Sequence, residues 1–217
     1  MNIKSLVVTA AAAFIHTVAS AGPSWIDWTT VNTGTLTIGS DIVGVSLTGS
    51  TPISLDNGTY YYDNASTGGI APSGTYGGFA PSDMLQVAST SFFTLTFSQA
   101  VVNPYIALVS VGQGGVPVTY SFDSNVSVLS SGGNYWGYSG YSVAGNAFTG
   151  NEFNGVLQLQ GSFTTLNIAV GQPEFWHGFN VGSASVSAVP EPETYAMMLA
   201  GLGLMGAIAR RRKAKQA

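Results

Sequence analysis

Glu152 and Glu174 are the only glutamates between residues 22 and 188 of this 217-residue chain. Paired carboxylates on either side of a sugar bond are what glycoside hydrolysis requires, and they must meet in one cleft within roughly 5 to 10 Å. Glu174 opens the run Glu174-Phe175-Trp176-His177, which sets an acid and two rings beside an imidazole. His177 is the only histidine in residues 22–188, and neither cysteine nor lysine occurs there. Most nucleophilic machinery is therefore missing, and the many serines stand in no G-x-S-x-G elbow. These residues read as a domain without catalysis. A polysaccharide hydrolase built on Glu152 and Glu174 is the rival reading.

A second cluster, Tyr135-Trp136-Gly137-Tyr138-Ser139-Gly140-Tyr141, sets four rings among small residues. Exposed rings stack on sugar faces, whereas alternate rings pointing inward fill a core. Tyr135, Trp136, Tyr138 and Trp176 are the candidate glycan contacts, with structural packing as the competing role. Asp56-Asn57 and Asp63-Asn64 bracket three tyrosines and offer oxygen ligands suited to calcium, without the register of an EF-hand loop. No other cofactor is expected. Sequons begin at Asn57, Asn64 and Asn125, which fits an exported, exposed surface.

All six cationic side chains lie near the termini: Lys4, then Arg210, Arg211, Arg212, Lys213 and Lys215. Residues 22–189 keep Asp27, Asp41, Asp56, Asp63, Asp83, Asp123, Glu152 and Glu174 against no Lys or Arg, a side-chain charge of −8 that the net −4 of the whole chain conceals. Without cations there is no electrostatic route to phosphate backbones, which excludes nucleic acid as a partner. Any carboxylate drawn into the fold must be met by neutral donors or a metal ion. With no cysteine, stability must come from packing, and a domain of this size buries an ordinary core without disulfides.

The elements that would position these residues are strands. Polar and apolar residues alternate through Thr35–Ile38, Val43–Leu47, Phe93–Phe97 and Val156–Gln160, the period of half-buried strands. Further candidates are Tyr60–Tyr62, Ile106–Val111, Val116–Phe122, Phe163–Val170, Phe175–Val181 and Ala184–Val189. Turn signals separate them at Asp56-Asn57-Gly58, Gly112-Gln113-Gly114-Gly115, Ser130-Ser131-Gly132-Gly133-Asn134 and Gln160-Gly161-Ser162. About ten short strands without helical periodicity predict an all-β, two-sheet antiparallel sandwich, jelly-roll-like, over residues 22–188. The Gly- and Pro-rich stretch Asp63–Asp83 reads as a long loop, either a plain excursion or a binding lip.

Both ends read as targeting segments. Residues 1–21 combine Lys4, an apolar run from Leu6 to Val18 and the triplet Ala19-Ser20-Ala21, the pattern of a signal peptide cleaved by signal peptidase after Ala21. Residues 189–217 begin Val189-Pro190-Glu191-Pro192 and continue into an apolar run from Tyr195 to Ala209, closed by Arg210-Arg211-Arg212-Lys213. Two prolines one residue apart hold the chain extended and keep it out of helix and sheet. As a helix the apolar run reaches about 22 Å, short of a hydrocarbon core of about 30 Å, so it would span only with thinning or snorkelling. The basic cluster would stay cytoplasmic. Small residues four apart, Ala196 and Ala200 or Gly203 and Ala207, permit close helix approach. Gly201-Leu202-Gly203-Leu204-Met205-Gly206 matches a dinucleotide fingerprint in letters alone, since strand, helix and downstream acid are all missing.

The Pro-Glu-Pro strip, short apolar run and terminal basic cluster resemble the PEP-CTERM sorting signal of Gram-negative bacteria. That resemblance implies recognition by an exosortase, an integral-membrane cysteine enzyme. It further implies removal of the helix after transient residence in the inner membrane, and delivery to the cell surface or an extracellular matrix rich in exopolysaccharide. Asn103–Gly182, with Asn103-Pro104-Tyr105 and Tyr135-Trp136-Gly137, is similar to cargo domains found beside such signals, and no catalytic residues transfer from them. The expectation is an exported matrix protein, structural or glycan-binding. A permanently anchored single-pass surface protein is the other alternative.

Overall fold

The computed structural model describes residues 22–50, 52, 54–55, 74–78, 80–133, 137, 140–187 and 198–205. Fourteen strands occur among them. They are β1 (Ser24–Trp25), β2 (Asp27–Thr30), β3 (Thr33–Ile38), β4 (Asp41–Gly49), β5 (Leu85–Val87), β6 (Ser91–Val102) and β7 (Tyr105–Val111), followed by β8 (Val118–Phe122), β9 (Val126–Gly132), β10 (Tyr141–Ala144), β11 (Ala147–Gly150), β12 (Phe153–Leu159), β13 (Ser162–Val170) and β14 (His177–Ser183).

They form two antiparallel sheets. One runs β1-β14-β7-β12-β9, with β5 also paired to β14; the other runs β10-β11-β8-β13-β6-β4-β3-β2. Within these paths β5-β14-β7-β12 faces β6-β13-β8-β11, so that most successive strands swap sheets. That alternation of two Greek keys is the jelly-roll arrangement, and the sandwich agrees with the sequence pattern.

The sheets meet through interior aromatic contacts. Phe93 of β6 and Phe179 of β14 lie 5.5 Å apart between ring centroids, and Phe148 of β11 sits edge-on to Phe153 of β12 at 4.6 Å. The second sheet alternates as a half-buried sheet should: β4 and β6 put Val43, Val45, Leu47, Phe93, Leu95 and Phe97 inward and Ser46, Thr48, Thr94, Thr96 and Ser98 outward. The first sheet alternates at its edge strand β9 but not at its centre. All seven residues of β14 are buried, because a second apolar cluster of Trp25, Met84, Ala107, Val109 and Val156 covers its outer face, with Tyr76, Tyr105 and Trp176 packed against it. The described part of the Asp63–Asp83 stretch belongs to this cover. Trp25 Nε1 donates to Tyr76 O at 3.0 Å, and Asp83 accepts from Trp28 N at 3.3 Å and Ala80 N at 3.1 Å.

Several sequence expectations need adjusting. Ser130-Ser131-Gly132 is not a turn, since β9 continues through it and pairs with β12. Of the expected strand Ala184–Val189, the described residues 184–187 form only an isolated bridge that joins Val186 to Val101, and Ala188 and Val189 lie outside the described residues. The strands β1, β2, β5, β10 and β11 had no clear alternation because each has two to four residues. Tyr60–Tyr62 and the signal segment 1–21 lie outside the described residues. Residues 198–205 are helical and exposed, and no helix among the described residues is long and apolar enough to cross a membrane. The expected spanning helix therefore stands on sequence alone.

Phe148 is fully buried at the contact between sheets. Phe148→Ala should lose about 3–5 kcal/mol of stability, read as a lower denaturation midpoint in urea.

Candidate functional site

One end of the sandwich gathers the polar residues of interest. Gly112 follows β7 in a left-handed conformation (φ 80°) that a side chain could not share, because an added Cβ would collide with the Gly150 carbonyl. This lets the turn after β7 close against the turn between β11 and β12. Glu152 sits in that second turn and Glu174 in the loop before β14. Both carboxylates bind the β7 segment. Glu174 Oε1 accepts from Gly112 N at 3.0 Å, while Glu152 Oε2 accepts from Ser110 Oγ at 3.1 Å and its own N–H donates to Gly112 O at 3.0 Å. Ser110 N donates to Asn154 Oδ1 at 2.8 Å. The two glutamates that the sequence singled out are thus brought to one place, close enough for Glu152 to feel the charge of Glu174.

Ser110 and Glu152 are both non-glycine residues at positive φ, 54° and 50°. Such backbone strain persists only where surrounding bonds over-determine it, and the hydroxyl–carboxylate bond between these two side chains is one such bond. Burial, countered by Ser110 and supplemented by the Glu174 charge, raises the Glu152 carboxyl above its ordinary value of 4.5.

Glu174 is the more enclosed acid. Its side chain is 2 % exposed, and Oε1 also lies in close contact with Nδ1 of the fully buried His177. That contact is not aligned as a hydrogen bond, and neither imidazole nitrogen has one among the described residues. The imidazole lies edge-on to Tyr120 at 5.5 Å. The Tyr120 hydroxyl is likewise buried without a hydrogen-bond partner among the described residues. Burial, with the Glu174 charge added, pushes its phenol well above the ordinary 10. Chemically this is a sealed carboxylate–imidazole–phenol stack with a more open carboxylate beside it. It pins three loops.

Phe175, between Glu174 and the half-buried Trp176, is 89 % exposed. Trp176 packs on the outer apolar cluster. Tyr141, the last ring of the aromatic run, is 45 % exposed and stacks near Phe148 at 6.0 Å. Tyr135, Trp136 and Tyr138 lie outside the described residues, as do Asp56-Asn57 and Asp63-Asn64. No group of three or more His, Asp or Glu able to hold a metal ion occurs among the described residues. Sequence reasoning missed Ser110, Tyr120 and Asn154. Nothing in a run of β-formers marks Ser110 as the strained residue, though Asn154 two places after Glu152 was a usable signal.

The fold is thus a jelly-roll domain with a polar knot at one end, and a further segment follows it in sequence. Residues 188–213 of that segment match the family model of the PEP-CTERM protein-sorting motif. The chain carries this motif, which indicates an exported protein sorted to the cell surface by an exosortase. Val189, Pro190, Glu191, Pro192 and Arg210–Lys213 all fall within the match. No curated protein and no solved structure matches the chain.

Two outcomes follow. Tyr120→Phe removes a buried hydroxyl that has no described partner, so stability should be equal or higher, seen as an unchanged or raised urea midpoint. For Glu152 the folded carboxyl titrates above its unfolded value, so stability falls as pH rises from about 4.5 through the raised value. Glu152→Gln should therefore be more stable than the wild type at pH 7, with the difference closing below about pH 4.5 in paired unfolding curves.

Proposed function

We propose that this chain is an exported, non-enzymatic matrix protein. The signal peptide is removed, an exosortase removes the C-terminal helix, and the jelly-roll domain is left at the cell surface or in the exopolysaccharide, where it contacts neutral glycan. The observation that carries the reading is the sorting motif at residues 188–213, directly following a domain that lacks any Lys or Arg. A surface carrying only negative charge repels acidic polymers, which favours an uncharged polysaccharide. Phe175, almost fully exposed beside Trp176, supplies an apolar face of the kind that stacks on sugar rings.

The hydrolase reading draws support from one observation, the convergence of Glu152 and Glu174 on the β7 segment. The 2 % exposure of Glu174 and its contacts with Gly112 and His177 weigh against it, because a catalytic carboxylate must touch the sugar bond. A permanent anchor differs from the processed form by the mass of its tail.

Intact mass of the protein recovered from its host's surface and medium should show loss of residues 1–21 and of those after about Pro190. That mature chain should resist trypsin entirely, having no Lys or Arg; a retained Arg210–Lys213 tail would instead mean an anchor. In affinity electrophoresis through the host's neutral polysaccharide, Phe175→Ala should weaken retardation about fivefold, or about 1 kcal/mol. Release of reducing ends by the wild type but not by Glu152→Gln would replace this reading with the hydrolase.

A further inference from the structure

The chain does not run free between β14 and the sorting motif. Ser183 Oγ lies 2.9 Å from the carbonyl oxygens of both Val102 and Ser185. Val102 N donates to Ser185 O at 3.0 Å, and Ser187 N donates to Ala100 O at 2.7 Å. Between these bonds Val186 bridges Val101 in antiparallel register and packs partly buried against the core. Gln99 Nε2 reaches Ser187 O at 3.4 Å, and the hydroxyls of Ser162 and Ser187 lie 3.0 Å apart. Residues 184–187 are thus a short strap tied along the end of β6, and the motif begins at the next residue.

Covalent reach makes this consequential. Pro190 is three residues past Ser187, a span of at most roughly 11 Å. Two packed sheets, with backbones about 10 Å apart and side chains beyond, are thicker than that. An enzyme seated in a membrane that closes on Pro190-Glu191-Pro192 would meet the folded sandwich before it could enclose the strip. Peeling residues 184–187 away adds up to roughly 14 Å of chain and removes the obstruction, while β14 and the core stay intact.

We propose that residues 184–187 form a release strap, whose detachment from Ala100–Val102 is required before the sorting segment can be cut. Val186 sets the strap's grip: its bridge and partial burial hold it, and the exposed Ser185 beside it lets the end fray. The inference rests on the exosortase reading above. After cutting, the strap re-seats and the new C-terminus lies against the sheet.

The chain contains no cysteine, so a lock can be added cleanly. Val101 and Val186 stand between two flanking hydrogen bonds as a non-hydrogen-bonded antiparallel pair, with a typical Cα separation of about 4.5 Å, inside the range that a disulfide spans. In the native host, pulse-labelled full-length V101C/V186C should keep its tail about tenfold longer than either V101C or V186C alone. A ten-residue Gly/Ser insertion after Ser187 should return the locked chain to the rate of the single variants. Processing of the locked chain at the single-variant rate would overturn the strap, and so would a slow locked chain that the insertion fails to rescue. A wild-type chain that keeps its tail would instead remove the sorting reading itself.

Discussion

Between Lys4 and Arg210 the chain has no permanently positive side chain, and this constraint governs how its acids are used. A carboxylate taken from water must be met by donors, and here the donors are backbone N–H groups and hydroxyls. Asp83 holds Trp28 N and Ala80 N, Asp123 holds Asn167 N and Nδ2, Glu152 holds Ser110 Oγ, and Glu174 holds Gly112 N. Each bond ties together segments distant in sequence or fixes a turn. In most soluble domains such acids would spend themselves on surface ion pairs of little consequence. In this one they act as loop fasteners, and the polar knot at the end of β7 is the densest example.

The same economy is visible on the outer face of the first sheet. Asn180 on the fully buried β14 accepts from Trp28 Nε1 at 3.0 Å and donates to Ile26 O at 3.0 Å. A neutral amide thereby stitches the N-terminal segment to the sheet where an ion pair would otherwise serve. Trp25, Met84, Tyr76 and Trp176 complete the cover. The centre of one sheet is consequently sealed on both sides, while the other sheet shows a wide Thr- and Ser-bearing face to solvent.

The sandwich was legible because β3, β4, β6, β12 and β13 carry period-two patterns long enough to outweigh chance, and because Gly112, Gly115 and Gly161 sit at positive φ where turns were expected. What escaped has physical causes. The hairpin of β10 and β11 is too short for periodicity, and β9 was hidden by serines and a glycine that usually signal turns. The bulge that leaves Leu129 of β9 between the partners of Val156 and Leu157 has no sequence mark. Glu152 and Glu174 stood out by scarcity alone, and only the fold could bring residues 22 positions apart to one β7 segment. It also showed that Glu174 is sealed while Glu152 is not. The sorting motif needed no fold, since it is read from local order: prolines, apolar run, basic cluster.

β1 lies beside β14 with Ser24 opposite Ser183, so the chain enters the sandwich beside the end of its last strand. From Ser183 back to His177 is six steps along an extended strand, roughly 20 Å, and the knot with exposed Phe175 lies beyond that far end. The strained pair Ser110 and Glu152, the enclosed Glu174 and the bare ring of Phe175 therefore stand about one strand length from the point where the chain enters.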